Sequence, residues 1–259
     1  MPSFFTTRWL RAAGAAALLL SFSLAPSHSA LAATVLGLDF GSGSTQSGFS
    51  GFALTTDGPG PVSRTFSVSD SISSPSLSIT ATVAAGSDAT NMANNTGSLN
   101  QRTRGNAPAN SGAFTQNALL QDRIVSTTGA GLFLELTGLA PNTTFSIQVW
   151  GYDTQTTGTM IGSKSGTFTL LDRTNGANTT LGSITNTLGQ LPTDNNTFSI
   201  TANVTSDANG KIVVQSVSNI DGTGILTGAA ISTSTVPEPG RGMMGLMGLG
   251  LLLWRRRRK

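Results

Sequence analysis

Apolar and hydroxylic residues alternate with a period of two over several short stretches of this chain. In Leu77-Ser78-Ile79-Thr80-Ala81-Thr82-Val83 the odd positions are apolar and the even ones hydroxylic. That is the pattern of a strand with one buried and one wet face. Phe198-Ser199-Ile200-Thr201-Ala202-Asn203-Val204 repeats it, and Leu132-Phe133-Leu134-Glu135-Leu136 does so with Leu132, Leu134 and Leu136 as the inward set. The same reasoning predicts strands at 35–40, 48–54, 65–68, 144–152, 166–171, 211–218 and 228–232. Helical periodicity is nearly absent from residues 33–235. Ten short strands separated by Gly, Asn, Asp, Ser and Thr predict an all-β, antiparallel β-sandwich, a jelly roll by preference.

Two segments break the rhythm. Ala85 to Asn117 has almost no apolar periodicity and reads as a long loop, the kind that is either functional or disordered. Ala118 to Ile124 reads as a short helix or turn entering the next strand. Asp207-Ala208-Asn209-Gly210, between two alternating runs, is a hairpin loop with Asn209 and Gly210 suited to positive φ. Its carboxylate has a calcium-ligand reading as well, but a turn accounts for every residue in it.

The two ends follow different rules. Arg8 and Arg11 precede the mostly apolar, uncharged run Ala12 to Leu24, and Ala30-Leu31-Ala32 forms a small-x-small cleavage site. This order predicts a secretory signal peptide over residues 1–32, in helical form, with cleavage between Ala32 and Ala33 by signal peptidase. The alternative, a membrane anchor, would need about 20 apolar residues. Residues 33–235 then form one domain. At the other end Val236-Pro237-Glu238-Pro239 leads into Gly242 to Trp254, which is uncharged, and then Arg255-Arg256-Arg257-Arg258-Lys259. A rigid Pro-x-Pro segment beside a short hydrophobic transmembrane helix, closed by a basic stop held in the cytoplasm, would keep the chain in the inner membrane with its bulk outside.

Charge changes meaning once it is divided along the chain. The formal net charge is +3, yet only seven of the 15 basic residues fall between residues 33 and 235, against 11 of the 12 acidic ones. The predicted domain is mildly acidic, which excludes nucleic acid as a partner. There is no cysteine, and the single histidine, His28, lies in the leader. Ser-His-Asp and Cys-His nucleophiles, His- or Cys-based zinc and iron sites, and disulfides are therefore excluded from residues 33–235. Carboxylate chemistry and calcium are not.

The C-terminal arrangement resembles the PEP-CTERM sorting tail of Gram-negative bacteria, over residues 236–259. That resemblance implies recognition of Pro237, Glu238 and Pro239 by an exosortase-type membrane protease, a transient stay in the inner membrane, and release to the cell surface or extracellular matrix, among exopolysaccharide. The apolar stretch departs from a full span: Arg241 interrupts it early, and Gly242 to Trp254 could cross only a thinned bilayer. A plain permanent anchor is the alternative.

A second resemblance runs in order through Val35-Leu36-Gly37-Leu38-Asp39-Phe40-Gly41, Thr45-Gln46-Ser47-Gly48-Phe49, Leu119-Leu120-Gln121-Asp122-Arg123, Leu136 to Thr144 and Trp150-Gly151-Tyr152-Asp153. These look like a galactose-binding-like β-sandwich of the kind found beside polysaccharide-degrading enzymes. The resemblance implies a jelly-roll binding or structural module, in some members with a structural calcium. No calcium motif is present in this sequence, and no cofactor is expected.

Candidate chemistry is sparse. If Phe145, Ile147 and Val149 face inward, then Gln148, Trp150 and Tyr152 share the other face, where two rings could stack on a sugar with Gln148 and Asp153 hydrogen-bonding it. The other reading is that a loop covers both rings as a second small core. For hydrolysis two carboxyls must stand about 5 to 9.5 Å apart. Residues 33–235 hold one glutamate, Glu135, and ten aspartates, of which Asp39 and Asp153 follow apolar strands. Asp39-Phe40-Gly41 matches a kinase metal motif in letters only, with no phosphate loop around it. Asn-x-Ser/Thr triplets at Asn94, Asn142, Asn178, Asn195 and Asn203 read as turn composition. The expected protein is exported, non-enzymatic, and structural or weakly glycan-binding; the rival is a polysaccharide lyase or carboxylate-based glycoside hydrolase.

Overall fold

A computed structural model describes residues 34–68, 77–104, 107–154 and 162–233, all within one compact unit, Ala33–Ser234. The predicted signal peptide, the Pro237-Glu238-Pro239 motif, the hydrophobic tail helix and Arg255 to Lys259 lie outside the described residues. Among the described residues no helix is long and apolar enough to cross a membrane.

The described chain is built from strands, in order β1 (Thr34–Phe40), β2 (Ser50–Phe52), β3 (Gly58–Pro59), β4 (Val62–Val68), β5 (Leu77–Ala85), β6 (Ser98–Thr103), β7 (Asp122–Ser126) and β8 (Leu132–Thr137). There follow β9 (Thr144–Trp150), β10 (Gly166–Asp172), β11 (Thr179–Asn186), β12 (Ser199–Thr205), β13 (Ile212–Ser218), β14 (Gly224–Leu226) and β15 (Gly228–Thr233). Among the described residues two single 3-10 turns, Met92–Asn94 and Thr174–Gly176, are the helical content. The strands form three sheets, ordered β12-β9-β15-β1-β2, β11-β10-β13-β8-β5-β4 and β14-β7-β6-β3. Every pairing is antiparallel except β1 with β2. The all-β, antiparallel expectation therefore holds for the described residues.

The period-two pattern sets which side chains enter the core. Ile79, Ala81 and Val83 of β5, Leu132, Leu134 and Leu136 of β8, and Phe145, Ile147 and Val149 of β9 are all buried in one apolar cluster. Strands of all three sheets contribute to it, with Leu36 and Leu38 from β1, Ile124 from β7 and Phe168 from β10. Cross-strand register places like with like: Val83 stands opposite Leu134, and Ala202 of β12 opposite Ile147. Burial of a large apolar side chain contributes roughly 1.5 to 3 kcal/mol, so this cluster is a large favourable contribution to the fold.

The structure departs from the sequence reading between residues 85 and 126. The predicted long loop contains β6, and its first part packs instead of projecting. Ala89 and Met92 lie against Ala84, Phe133 and Val213, on the face of the six-stranded sheet opposite the main core. Asp88 and Asn95 hold that segment in shape. The Asp88 carboxylate accepts from the Thr90 and Asn91 amides, the Thr90 hydroxyl and the Asn94 side chain, while buried Asn95 accepts from the Asp88 amide and donates to its carbonyl. Those bonds, Asn94 first, keep the Asp88 carboxyl well below its ordinary range. Residues 117–121 form the expected turn, but the strand starts at Asp122. At the 207–210 hairpin the turn reading fits: Asp207 Oδ1 accepts from the Asn209 and Lys211 amides, each at 2.8 Å. Gly210 takes φ +72°, which a side chain would strain.

Candidate functional site

β9 delivers Trp150, Tyr152 and Asp153 to a part of the fold that the sequence left open between two readings. The Gly151 amide bonds to the Phe198 carbonyl at 2.9 Å, and a side chain at Gly151 would overlap the Phe168 ring. The chain there passes close enough over Phe168 to carry the following residues inward. Trp150 is 2% exposed and Tyr152 0%, in a second apolar cluster with Phe114, Leu119, Leu120 and Phe198. Phe49 meets Trp150 edge-on at 5.9 Å, Phe198 lies 4.7 Å from Tyr152, and the indole N–H donates to the Asn195 carbonyl at 2.9 Å. The sugar-stacking constellation is thus corrected. The ring faces belong to the protein's own segments 111–120 and 195–198, Gln148 donates to Asn196 and Ser199, and Asp153 turns to a different set of partners.

That set is an ion cluster. The Asp153 side chain is fully buried; Arg123 Nη2 stands 2.7 Å and Arg104 Nε 3.1 Å from its Oδ1. Lys164 Nζ stands 2.6 Å from Oδ2, an ion pair without hydrogen-bond alignment. Asp221, with 26% of its side chain exposed, adds contacts to Arg123 at 2.9 Å, Lys164 at 3.5 Å and Arg104 at 3.9 Å. Three cations therefore share two carboxylates. Burial lowers the Arg123 pKa, and the Asp153 charge and the Asp221 hydrogen bond oppose that. Burial would raise Asp221, but the Arg123 hydrogen bond and charge, with Lys164, outweigh it and hold the carboxyl below its ordinary value. Burial, with the Asp153 charge, pushes the Tyr152 phenol up, so it stays protonated at any physiological pH. Each charge in the cluster is spent on a neighbour. The arrangement clasps the end of β6, strand β7, the end of β9, the approach to β10 and the loop after β13, and it offers no free base or nucleophile.

A second constellation lies at the end of β1. Asp39 is 3% exposed and Asp122, at the start of β7, 2%. Asp39 Oδ2 accepts from the Gln46 amide at 2.7 Å and Asp122 Oδ2 from the Gly43 amide at 2.6 Å, so residues 41–46 fold over both. The Asp39 carboxyl is pushed up to about 6, by burial first and against the Gln46 hydrogen bond, with the Asp122 charge adding to the rise. Burial raises Asp122 too, against hydrogen bonds from Thr103 and Gly43 and the Arg123 charge.

The remaining aspartates among the described residues do turn work or stay apart. Asp194 accepts from the Asn196 and Thr197 amides, Asp172 from the Thr174 amide, and Asp57 from the Gln101 amide. Glu135 of β8 faces Lys211, the residue before β13, at 3.7 Å. Among the described residues no three His, Cys, Asp or Glu side chains gather as a metal site. Sequence reasoning singled out Asp39 and Asp153 but missed their partners. Arg104, Arg123, Lys164, Asp221 and Asp122 come from segments far apart in the chain, and no local spacing marks them. No protein-family model matches this chain, and no curated protein matches it closely enough to count as a relative.

Proposed function

We propose that this chain is an exported, non-enzymatic β-sandwich protein of the jelly-roll type, sorted through Pro237-Glu238-Pro239 to the cell surface or extracellular matrix. There it serves as a structural or weakly glycan-binding component. The observation that carries the reading is the order of three elements at the C-terminus: Pro-x-Pro, an uncharged apolar stretch, and Arg255 to Lys259. A membrane protease of the exosortase type is the partner this order calls for, after secretion has removed residues 1–32. The sandwich reading rests on one apolar cluster shared by strands of three sheets, antiparallel but for the β1–β2 pair.

The way carboxylates are used supports a binding or structural role. Those of Asp88, Asp172, Asp194 and Asp207 cap turns, and those of Asp153 and Asp221 neutralise cations. The rival, a glycoside hydrolase or lyase, finds its best pair in Asp39 and Asp122, whose raised carboxyls have the chemistry of an acid and a base. At 3% and 2% exposure they are out of a polysaccharide's reach.

The test is the intact mass and fractionation of the native protein, from wild-type cells and from cells lacking the tail-processing protease. Loss of residues 1–32 and of the segment beyond Pro237 to Pro239 from the surface form, with the tail retained when the protease is absent, is the expected result. Retention of Arg255 to Lys259 on the wild-type surface protein would make the tail a plain anchor and remove the matrix role.

A further inference from the structure

We infer that Arg104 and Lys164, at the rim of the Asp153 ion cluster, bind one carboxylate group of an acidic polysaccharide, a uronate in chemical class. The inference rests on the glycan-binding reading proposed above and gives that reading a site and a ligand. Every charge in the cluster has a neighbour, yet the charges do not balance. Three cations face two carboxylates, and among the described residues no other Asp or Glu oxygen lies within 4.0 Å of them. Asp122, next to Arg123 in sequence, turns to the Gly43 amide instead. One positive charge is left over, inside a domain that is mildly acidic as a whole.

Donors are in surplus as well. Arg104 gives Asp153 its Nε, but its terminal nitrogens make no hydrogen bond to a described residue, and the 3.9 Å from Nη2 to Asp221 is too long for one. Lys164 Nζ has three protons to give. Among the described residues it makes one hydrogen bond, a long one to Asp221 at 3.5 Å. Beneath them Arg123 Nε is buried without an acceptor, in a side chain 2% exposed. Buried cationic donors without acceptors are costly, and an incoming anion relieves that cost. The rim is open to one: the Arg104 and Lys164 side chains are 22% and 21% exposed. Backbone bonds already fix both residues, from the Arg104 amide to the Gln121 carbonyl at 2.9 Å and from the Lys164 amide to the Asp153 carbonyl at 2.8 Å, so little order is lost on binding.

The chemistry of the ligand follows from the charge. A surplus of one matches a monoanionic carboxylate, whereas a phosphate dianion would exceed it and face the Asp221 carboxylate as well. A planar guanidinium beside an ammonium is a fitting pair of donors for a carboxylate. The setting favours a sugar polymer over a free acid. Ser163, the residue before Lys164, bonds to the Gly189 amide, the Gln190 carbonyl and the Thr187 carbonyl. That sets the turn bearing Leu188 and Leu191, both more than half exposed, next to the rim segment. The C–H face of a pyranose has apolar surface there while its carboxylate meets the cations. β15 runs from Gly228, opposite Trp150, to Thr233, opposite Phe145, so the chain leaves the sandwich at the end of β9 remote from Asp153.

The experiment uses the full chain in a non-ionic detergent at neutral pH, titrated by calorimetry with a galacturonate oligomer and with its methyl ester, the same polymer without the charge. The acid should bind, and the ester should bind at least about tenfold more weakly. Arg104→Gln and Lys164→Gln should each weaken the acid about tenfold, and Lys211→Gln, outside the cluster, should leave it unchanged. Asp221→Asn removes the competing carboxylate and should tighten binding about fivefold. Equal affinity for acid and ester overturns the inference and leaves the glycan reading standing; no heat from either up to about 10 mM, beyond the weak end of the affinity scale, overturns both. Unchanged affinity in both rim variants also overturns it, as does full competition by sodium acetate at the same carboxylate concentration, which would make the site one for any small acid. If a rim variant fails to fold, the wild-type comparison of acid with ester and the tightening in Asp221→Asn decide, and absence of either overturns the inference.

Discussion

Asp153 neutralises the most deeply buried cation among the described residues, the Arg123 guanidinium, and removing its charge leaves Arg123, Arg104 and Lys164 to share the one partly exposed carboxylate of Asp221. Asp153→Asn should therefore cost about 3 to 5 kcal/mol, read from urea unfolding. Asp221→Asn, at a partly exposed position that water screens, should cost only about 0 to 1 kcal/mol. Equal losses in the two variants would show that burial does not rank them. Asp39 makes a pH prediction of known sign. Its carboxyl is lifted from the ordinary 3.8 to about 6 in the fold, so the folded state holds the proton more tightly than the unfolded chain. Its contribution to stability is full below about pH 4 and is lost as pH rises through about 6. Asp39→Asn should remove part of the fall in Tm between pH 4 and pH 7; an unchanged pH profile would contradict the burial argument. Asp221 has the opposite sign: its lowered carboxyl stabilises the fold above the ordinary carboxylate value and ceases to do so as pH falls. Neither residue's role was legible in sequence, because a carboxylate's pKa depends on neighbours brought in from distant segments.

At the scale of elements, legibility followed the burial of faces. β5, β8 and β12 have alternating sequences because one face of each is more buried than the other, and their inward residues were readable. β7 was missed because Asp122, Arg123, Ile124, Val125 and Ser126 are all buried, so no alternation survives in the sequence. β3 and β14 are two and three residues long, too short to carry a period. β6 places Asn100, Gln101 and Arg102 in succession after its one buried leucine, Leu99, and reads as loop. The packed segment 86–95 makes its own prediction. Asn95→Ala removes the side chain that bonds both the amide and the carbonyl of Asp88, and should cost about 1 to 3 kcal/mol, with faster amide hydrogen exchange confined largely to residues 86–95. Phe114→Ala, which opens the cover over Trp150 and Tyr152, should cost about 3 to 5 kcal/mol in the same unfolding assay.

For the whole molecule, the proposed route of export predicts that Glu238→Ala leaves residues 237–259 on the protein, with the chain retained in the membrane fraction; intact mass decides it. An unaltered surface form would remove Glu238 from the recognition. The sequence alone determined what depends on neighbours within a few residues. Strand phase in half-buried strands, the 207–210 turn and the exclusion of His and Cys chemistry from residues 33–235 are all of that kind. Tertiary structure decided whatever needs two distant segments at once. It covered Trp150 and Tyr152 with 111–120, gave Asp153 its three cations, turned part of a predicted loop into β6 and a packed face, and enclosed Asp39 with Asp122 under one loop. The physical reason is the same throughout: a period-two pattern records which way a side chain points, whereas burial, charge compensation and pKa depend on what the rest of the chain places in front of it.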